Sequence, residues 1–385
     1  MRIVVTGHMV RHPVAGNIMA FMSYLIGLCR IGQHVVYIEE SGWDGSCYDP
    51  HTGAVGDDPS VGLSLTTSIA RSAGLDVSIL YVNRRSGEVH GGSWENVKTA
   101  LANADILLNL GGVCWLPEFK LARLLVMVDM DPLFTQLGRF GLGATDEHQV
   151  HFSYGVNIGQ PGCTVPTAGI EWIPTVPPVV TDLWPVRPTA ESAHFTTIAN
   201  WSAYSTVERD GIRYGQKDEE FLRFIDVPTR TDQVLEIAAA GIPGSDKSAL
   251  TDRGWRVTSA AEVTHDFNRY RDYIGSSRGE FTVAKNAYVK TRSGWFSDRS
   301  VCYLASGLPV IMQDTGFSDW LDTGEGVLAY STIDEAVSCL ESTVDNCERH
   351  RVAARAFAED VFGAEKVLEK LLKKAVEGRF AAASL

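Results

Sequence analysis

Short apolar, β-branched runs alternate with helical patterns along the first half of the chain. Residues 3–5 predict a buried first strand, and residues 17–31 place Ile18, Phe21 and Leu25 on one face of a helix. Gly32 ends this helix before a strand at 35–38. Further strands are expected at 77–82, 106–109 and 124–129, with helices near 60–73, 94–102 and 117–122. This alternation predicts βαβ units in a doubly wound parallel sheet.

A proline-rich segment separates this pattern from a second one. Residues 174–188 contain five prolines, a density that neither a helix nor a central strand tolerates, so we expect a linker here. Beyond it the pattern predicts strands at 195–199, 233–237, 256–257, 281–284 and 309–312, and helices at 218–224, 246–252, 262–273, 298–306, 333–342 and 347–378. The sequence therefore predicts two α/β halves of similar size.

Composition and charge limit the partners. The chain has 385 residues, 45% of them hydrophobic and 21% charged, and its net charge is −13. Nucleic acids and anionic membranes need positive potential, so binding to either over the whole surface is not expected. Positive charge is concentrated locally, because residues 269–299 hold seven basic and three acidic residues. This segment suits a small anionic ligand.

The seven cysteines indicate a reducing compartment. Their number is odd and no C-x-x-C spacing occurs, so neither a zinc site nor a full disulfide framework is expected, and we predict a cytoplasmic protein. The longest apolar stretch, residues 18–29, is interrupted by Ser23 and Gly27. It is shorter than the roughly 20 residues that cross a bilayer, so no integral membrane segment is expected.

Candidate chemistry in the first half lies at strand ends, where open α/β sheets bind ligands. The loop after the first strand lacks the G-x-G-x-x-G dinucleotide fingerprint. We expect Gly16 and Asn17 to begin the helix there, with free N–H groups facing the cleft. His8 and His12 in the same loop are candidate general bases. The alternatives are that Gly16 only allows the turn and Asn17 only caps the helix, and that the histidines are structural or solvated.

Two carboxylates, Asp129 and Asp131, follow an apolar strand that points to the same edge of the sheet. In an extended chain this spacing places both side chains on one side, which favours paired acid and base chemistry. Helix capping next to Pro132 is the alternative for one of them.

In the second half, Ser297, Asp298 and Arg299 precede a helical run that Gly307 ends. A helix N-terminus with a serine and an arginine suits a diphosphate, although the Asp298 carboxylate competes for the same amides. The next strand ends in Gln313, Asp314, Thr315 and Gly316, which bring polar groups to the cleft.

These motifs resemble the donor-binding half of GT-B glycosyltransferases. The run ASGLPVI, followed by DTGF and GEGVL, is similar to that family's A-x-G-x-P-V-I, polar D-x-G turn and G-x-G-hydrophobic sequence. In the first half, AGNI followed by a helix and IGQHVV resembles the family's opening. The resemblance therefore touches both halves of the chain.

The resemblance implies two Rossmann-like domains that face each other across a cleft. It predicts an acceptor-side domain at 1–175, a linker at 176–190, a nucleotide-sugar-binding domain at 191–360 and a helix at 361–385 that returns to the first domain. By analogy with this family, the helix that begins at Ser297 to Arg299 would face the diphosphate. Asp314, Thr315 and Gly316 would lie near the donor sugar, and Lys217, Arg278 and Lys285 are candidate phosphate ligands.

Two departures from the family leave the stereochemistry open. Positions that carry paired glutamates in many retaining members are Gly294 and Cys302 here, and Asn17 occupies the position of a base histidine found in many inverting members. His8, His12, Asp129 or Asp131 would then supply a base.

The resemblance predicts a metal-independent glycosyltransferase that needs no cofactor besides a nucleoside-diphosphate sugar, with a small-molecule or glycan acceptor. The sugar, nucleotide base, acceptor and oligomeric state stay open. A non-hydrolysing sugar-nucleotide epimerase, which would need the Asp129 and Asp131 pair, is one alternative. A catalytically silent nucleotide-sugar-binding subunit is the other.

Overall fold

The first 174 residues build an eight-stranded sheet. The computed structural model describes residues 1–140, 147–190, 192–203 and 205–382. Its first strands are β1 (Arg2–Thr6), β2 (His34–Ser41), β3 (Cys47–Tyr48), β4 (Val55–Gly56), β5 (Ser78–Asn83), β6 (Val89–His90), β7 (Ile106–Leu110), β8 (Leu125–Asp129), β9 (Val150–Ser153) and β10 (Trp172–Pro174). The helices between them are α1 (Ala15–Arg30), α2 (Ser60–Ser72) and α3 (Trp94–Ala102).

The strand order of this sheet is β10-β9-β8-β7-β1-β2-β5-β6. All neighbouring pairs are parallel except β5 and β6, and β3 pairs only with β4. The chain leaves β1 toward β2 and later returns to β7 on the other side of β1, so the topological switch point lies between β1 and β7.

The second half contains a parallel sheet with a similar strand arrangement. Its strands are β11 (Phe195–Asn200), β12 (Val207–Arg209), β13 (Ile212–Tyr214), β14 (Leu235–Ala240), β15 (Arg256–Ser259), β16 (Gly279–Thr282), β17 (Val310–Gln313) and β18 (Val327–Tyr330). Six of them form a parallel sheet in the order β15-β14-β11-β16-β17-β18, while β12 and β13 form a separate hairpin. The switch point here lies between β11 and β16.

Nine helices complete the described part of the second half: α4 (Lys217–Arg223), α5 (Gly244–Asp252), α6 (Ala260–Thr264), α7 (Phe267–Gly275), α8 (Asn286–Thr291), α9 (Asp298–Ala305), α10 (Ile333–Asp345), α11 (Cys347–Asp360) and α12 (Ala364–Ala382). The last of them, α12, packs on α1 of the first half. The final helix therefore returns to the first half, so two passages of the chain connect the halves.

Hydrophobic packing joins the two halves. One buried cluster runs from the first sheet through α1 and α12 to α9 and the second sheet, and includes Ile3, Leu25, Leu368, Leu304 and Val310. Two further clusters cover the outer face of each sheet. Each sheet is thus apolar on both faces, as a parallel sheet requires.

The structure corrects several predicted elements. Residues 117–121 form a short 3₁₀ turn instead of an α-helix. The helix expected at 262–273 is two helices, because the Asp266 carboxylate accepts the N–H of Arg269 and starts α7 anew. The strands β6, β9 and β10, the strand pairs β3–β4 and β12–β13 and the helix α8 were not predicted, since their short runs give no clear periodicity.

The helix expected at 347–378 is also broken, after Asp360. At the break the Phe362 carbonyl accepts the N–H of Val179 at 2.8 Å, and the Ala364 N–H donates to the Val179 carbonyl at 2.9 Å. Val179 lies in the proline-rich segment, so both passages of the chain between the halves meet at one point.

A close approach at Gly27 allows α12 to dock on α1. A Cβ atom there would lie 2.6 Å from Leu368 Cδ1 and 2.9 Å from Ala364 Cβ. We expect Gly27→Val to lower the free energy of unfolding by about 1–3 kcal/mol through overpacking. Urea denaturation measures this, with Gly56→Val as the control, because no atom lies within 4 Å of a Cβ at that site. Equal losses in both variants would contradict the docking role.

Candidate active site

A cavity of about 640 Å³ opens between the carboxyl-terminal edges of the two sheets. Its size lies in the range of small-molecule sites. Both switch points contribute to it, through Gly111 after β7 and Ala199 at the end of β11. Eight residues predicted from the sequence line it: His8, Asn17, Asp131, Lys217, Lys285, Ser297, Asp298 and Arg299. A cavity of similar volume at the amino-terminal edge of the first sheet includes none of them.

Lys217 is a buried cation without a counter-ion. It begins α4, its exposed fraction is 9%, and among the described residues its ammonium group has no hydrogen-bond or ion-pair partner. Burial lowers its pKa well below the usual lysine range, and the charges of Arg299 and Lys285 lower it further, while Glu280 and Asp298 oppose the shift. An anion in the cavity would supply the missing partner.

Arg299 is held firmly in the cavity wall. Its Nε donates to Glu280 Oε1 at 2.5 Å, Nη1 donates to the Ile198 carbonyl at 2.6 Å, and Nη2 donates to Thr282 Oγ1 at 3.0 Å. Three of its five N–H groups are thus used inside the second sheet. Arg299 therefore adds a fixed positive charge behind Lys217.

Two side chains cap α9 at the cavity. Ser297 Oγ accepts the N–H of Arg299 at 3.2 Å, and Asp298 Oδ1 accepts the same N–H at 2.9 Å. Burial raises the pKa of Asp298, and the Arg299 charge opposes the shift. The capping role expected for Asp298 is thus present, and both side chains share one amide.

Lys285 and Asp131 join the two halves across the cavity. The Lys285 ammonium group lies 2.9 Å and 2.8 Å from the two Asp131 oxygens. Tyr288, at the following helix α8, donates its hydroxyl to Asp131 Oδ1. Tyr288 is also part of the cavity wall, and sequence reasoning missed it because the short helix α8 that carries it was not predicted.

Asp129 does not share the cavity with Asp131. It is fully buried and accepts hydrogen bonds from Thr135 Oγ1, Gln136 Nε2, Ser153 Oγ and Asp131 N. Burial raises its pKa, and these hydrogen bonds oppose the shift. The carboxylate therefore anchors the turn that presents Asp131, and the pair needed by the epimerase alternative is not formed by these two residues.

The loop that carries His8 and His12 is fixed from beneath by Glu39. This buried carboxylate accepts the N–H groups of Val10 at 2.8 Å and Arg11 at 2.7 Å, and Arg11 Nε at 3.1 Å. Asn17 contributes as well, since its Nδ2 donates to the carbonyls of His8 and His12. Asn17 does not cap α1, which begins at Ala15 without a side-chain cap.

The two histidines differ in position. His8 lines the cavity, and its ring packs edge-on against Phe21. Burial, with the charges of Arg11 and His12, lowers the pKa of His8 to about 3. His12 is exposed along part of its surface and stacks on Tyr48 outside the cavity lining, and partial burial of its ring together with the Arg11 charge lowers its pKa. His8 is therefore a neutral group at physiological pH.

The remaining predicted residues lie away from the cavity lining. Gly16 faces Tyr270, with 3.2 Å between a Cβ there and the tyrosine oxygen. Arg278 precedes β16, at the edge of the sheet opposite the cavity, and its Nε donates to the Ala193 carbonyl. Asp314, Thr315 and Gly316 form a turn in the seam between the halves, where Asn157 Nδ2 donates to the Gly316 carbonyl at 2.9 Å.

No group of three or more His, Cys, Asp or Glu side chains among the described residues is arranged to hold a metal ion. No helix in the part of the chain that the structure describes combines the length and apolar character needed to cross a membrane.

We expect the neutral His8 to make the protein sensitive to acid. The unfolded chain binds a proton at His8 near pH 6.5 and the folded chain only near pH 3, so stability falls as pH drops through this interval. His8→Asn should lose about 1–2 kcal/mol less free energy of unfolding between pH 7 and pH 5 than the wild type. Chemical denaturation at both pH values measures this, with the exposed His34→Asn as control. If His8→Asn and the wild type lose the same free energy of unfolding between the two pH values, the His8 ring is readily protonated in the folded protein.

Comparisons with solved structures cover the whole chain at low sequence identity. AviGT4, a glycosyltransferase involved in avilamycin A biosynthesis, is 13% identical, with a TM-score of 0.57 over 100% of this chain and 98% of that one. HepE from Anabaena, solved with UDP and glucose, is 10% identical, with a TM-score of 0.58 over 98% and 100%. An alpha-glucosyltransferase solved with UDP-glucose and DNA is 9% identical, with a TM-score of 0.58 over 97% and 98%.

No protein-family model matches the sequence, and the search of curated proteins finds no match. The structural likeness extends from the first sheet to α12, and two of these three solved structures are named as glycosyltransferases. The chain therefore has the two-domain GT-B fold of glycosyltransferases.

Proposed function

We propose that the protein is a glycosyltransferase that moves a sugar from a nucleoside-diphosphate sugar to a small-molecule or glycan acceptor. The observation that carries this proposal is Lys217, a buried ammonium group that faces the cavity and has no counter-ion among the described residues. A diphosphate supplies two negative charges at that place. The fold supports the same assignment, since the neighbours HepE and the alpha-glucosyltransferase were solved with UDP or UDP-glucose.

The donor would bind mainly to the second half, residues 191–360. Lys217, Lys285 and Arg299 provide positive charge there, and the N-terminus of α9 adds its dipole. When the bond between the anomeric carbon and the β-phosphate oxygen breaks, the leaving diphosphate keeps the electron pair. The fixed charges stabilise it at that moment because they are already oriented.

The acceptor would bind against the first half, residues 1–175. Its hydroxyl oxygen attacks the anomeric carbon and must lose a proton. Asp131 is the group best placed to take it, because this carboxylate lines the cavity and Lys285 and Tyr288 fix its orientation. His8 is less suitable, since its low pKa and its position beside Arg11 disfavour a protonated ring. We assign His8 the role of a neutral hydrogen-bonding group.

Charge and thiol chemistry support the remaining assignments. The net charge of −13 disfavours a nucleic-acid acceptor, although one structural neighbour was solved with DNA. All seven cysteines are free thiols, which fits the reducing cytoplasm.

The reaction is tested with a panel of UDP-, GDP-, ADP-, CDP- and dTDP-sugars, by measuring release of free nucleoside diphosphate. We expect slow hydrolysis of one class, with water as the acceptor, and Asp131→Asn should slow it about 10²–10⁴-fold as expected for loss of a general base. Interconversion of sugars without release would indicate the epimerase, and thermal stabilisation without turnover would indicate the silent binding subunit. Equal rates for Asp131→Asn and the wild type would remove Asp131 as the base.

Lys217 is tested by binding. Lys217→Met should weaken the affinity for the matching nucleoside diphosphate about 10–100-fold, because a charge-assisted contact contributes about 1.5–3 kcal/mol. The melting temperature should stay equal or rise, since an unpaired buried charge is removed. Wild-type affinity should fall with rising pH before ordinary lysines lose their protons. Calorimetry measures the affinity, and exposed Lys247→Met is the control; full affinity in Lys217→Met would place the diphosphate elsewhere.

A further inference from the structure

A closed polar network lies beneath the two lysines of the cavity, and its centre is Glu220. This residue follows Lys217 by one turn of α4 and is only 3% exposed. Its Oε1 accepts a hydrogen bond from Asn286 Nδ2 at 2.7 Å, and its Oε2 accepts one from Gln313 Nε2 at 2.6 Å. The three side chains come from α4, α8 and β17, so the carboxylate ties three separate elements together.

Each amide of the network also holds the backbone next to a lysine. Asn286 Oδ1 accepts the N–H of Gly215 at 3.1 Å, two residues before Lys217. Gln313 Oε1 accepts the N–H of Ala284 at 3.3 Å, directly before Lys285. The segments that carry Lys217 and Lys285 are therefore linked through the same carboxylate.

Backbone hydrogen bonds join these segments as well. The N–H of Asn286 donates to the Gln216 carbonyl at 3.2 Å, and the N–H of Ala287 donates to the Gly215 carbonyl at 3.2 Å. The lysine charges are close enough for Lys285 to lower the pKa of Lys217. Two like charges repel each other, so a rigid scaffold is needed to keep both at one site.

The polarity of the network, meaning which group donates and which accepts in each hydrogen bond, depends on the carboxylate. An ionised Glu220 only accepts hydrogen bonds, so both amides must turn their NH₂ groups toward it. Their carbonyl oxygens then point to the N–H groups of Gly215 and Ala284. The nearest cation to the carboxylate is Arg223, 3.5 Å from Oε2 and largely exposed.

We propose that Glu220, Asn286 and Gln313 are positioning residues that set the placement of Lys217 relative to Lys285 and thereby the affinity for the diphosphate. This inference rests on the proposed function, because it requires that the two lysines face a diphosphate. None of the three residues lines the cavity, so they act on the ligand only through the lysine-bearing segments.

Glu220→Gln changes the polarity of the network with almost no change in volume. One partner amide must then turn over and place its NH₂ group against a backbone N–H. We expect the affinities for UDP and for inorganic pyrophosphate to fall about tenfold, which is the effect of one broken buried hydrogen bond. The affinity for uridine, which has no phosphate, should not change. Isothermal titration calorimetry with the full chain measures all three.

Two double variants restore the polarity in different ways. In Glu220→Gln combined with Gln313→Glu, the new amide donates to the new carboxylate, whose other oxygen accepts the N–H of Ala284. In Glu220→Gln combined with Asn286→Asp, the new carboxylate accepts the N–H of Gly215. Each double variant should return the affinity for UDP and pyrophosphate to within about twofold of the wild type.

The exposed Glu341→Gln is the matched control and should bind like the wild type. If Glu220→Gln proves too unstable to titrate, the double variants are compared with Gln313→Glu and Asn286→Asp alone, which each set two carboxylates against each other.

Unchanged pyrophosphate affinity in Glu220→Gln would overturn the inference while Lys217→Met still reports on the proposed function. Loss of uridine binding in parallel, or no rescue in either double variant, would also overturn it, since the network would then only support folding. Absence of binding to pyrophosphate and to all five nucleoside diphosphates in the wild type would refute the proposed function itself.

Discussion

The cavity depends on the ammonium group of Lys217, which the fold removes from water and for which the described residues supply no counter-ion. Desolvation makes such a charge costly, and the carboxylates whose charges act on Lys217 are bound to other groups, as is Asp131. Glu280 is bound to Arg299, Asp298 accepts an amide of α9, and Asp131 is bound to Lys285. Positive charge therefore remains uncompensated at one place. An incoming anion gains this attraction without first breaking an ion pair at Lys217.

The topology explains why the charges meet at all. In each sheet the chain reverses direction beside its first strand, at β1 and at β11, and leaves a gap between diverging loops. The two gaps face each other, so loops from distant parts of the sequence enclose one cavity. Asp131 and Lys285 lie 154 residues apart in the chain and contact each other there.

The alternation of apolar runs was enough to predict two doubly wound halves, and strand ends, the start of α9 and the family resemblance located the Asp, Lys and Arg residues of the cavity. Finer placement depended on tertiary contacts. Arg278 and Lys285 are close in sequence, yet β16 separates them, so they lie at opposite edges of the sheet. Asp129 and Asp131 lie in different surroundings, because Ser153 and Gln136 donate hydrogen bonds to Asp129, whereas Asp131 is bound to Lys285. Glu220 and Gln313 were missed as partners because 93 residues separate them, and no local pattern records such a pair.

The meeting of both chain passages at Val179 has a mechanical consequence. The connecting segment and the α11–α12 junction are hydrogen-bonded to each other at this residue, so the two passages cannot move past each other without breaking these bonds. A movement that widens the cavity between the halves must also separate Lys285 from Asp131, because their ion pair spans both halves.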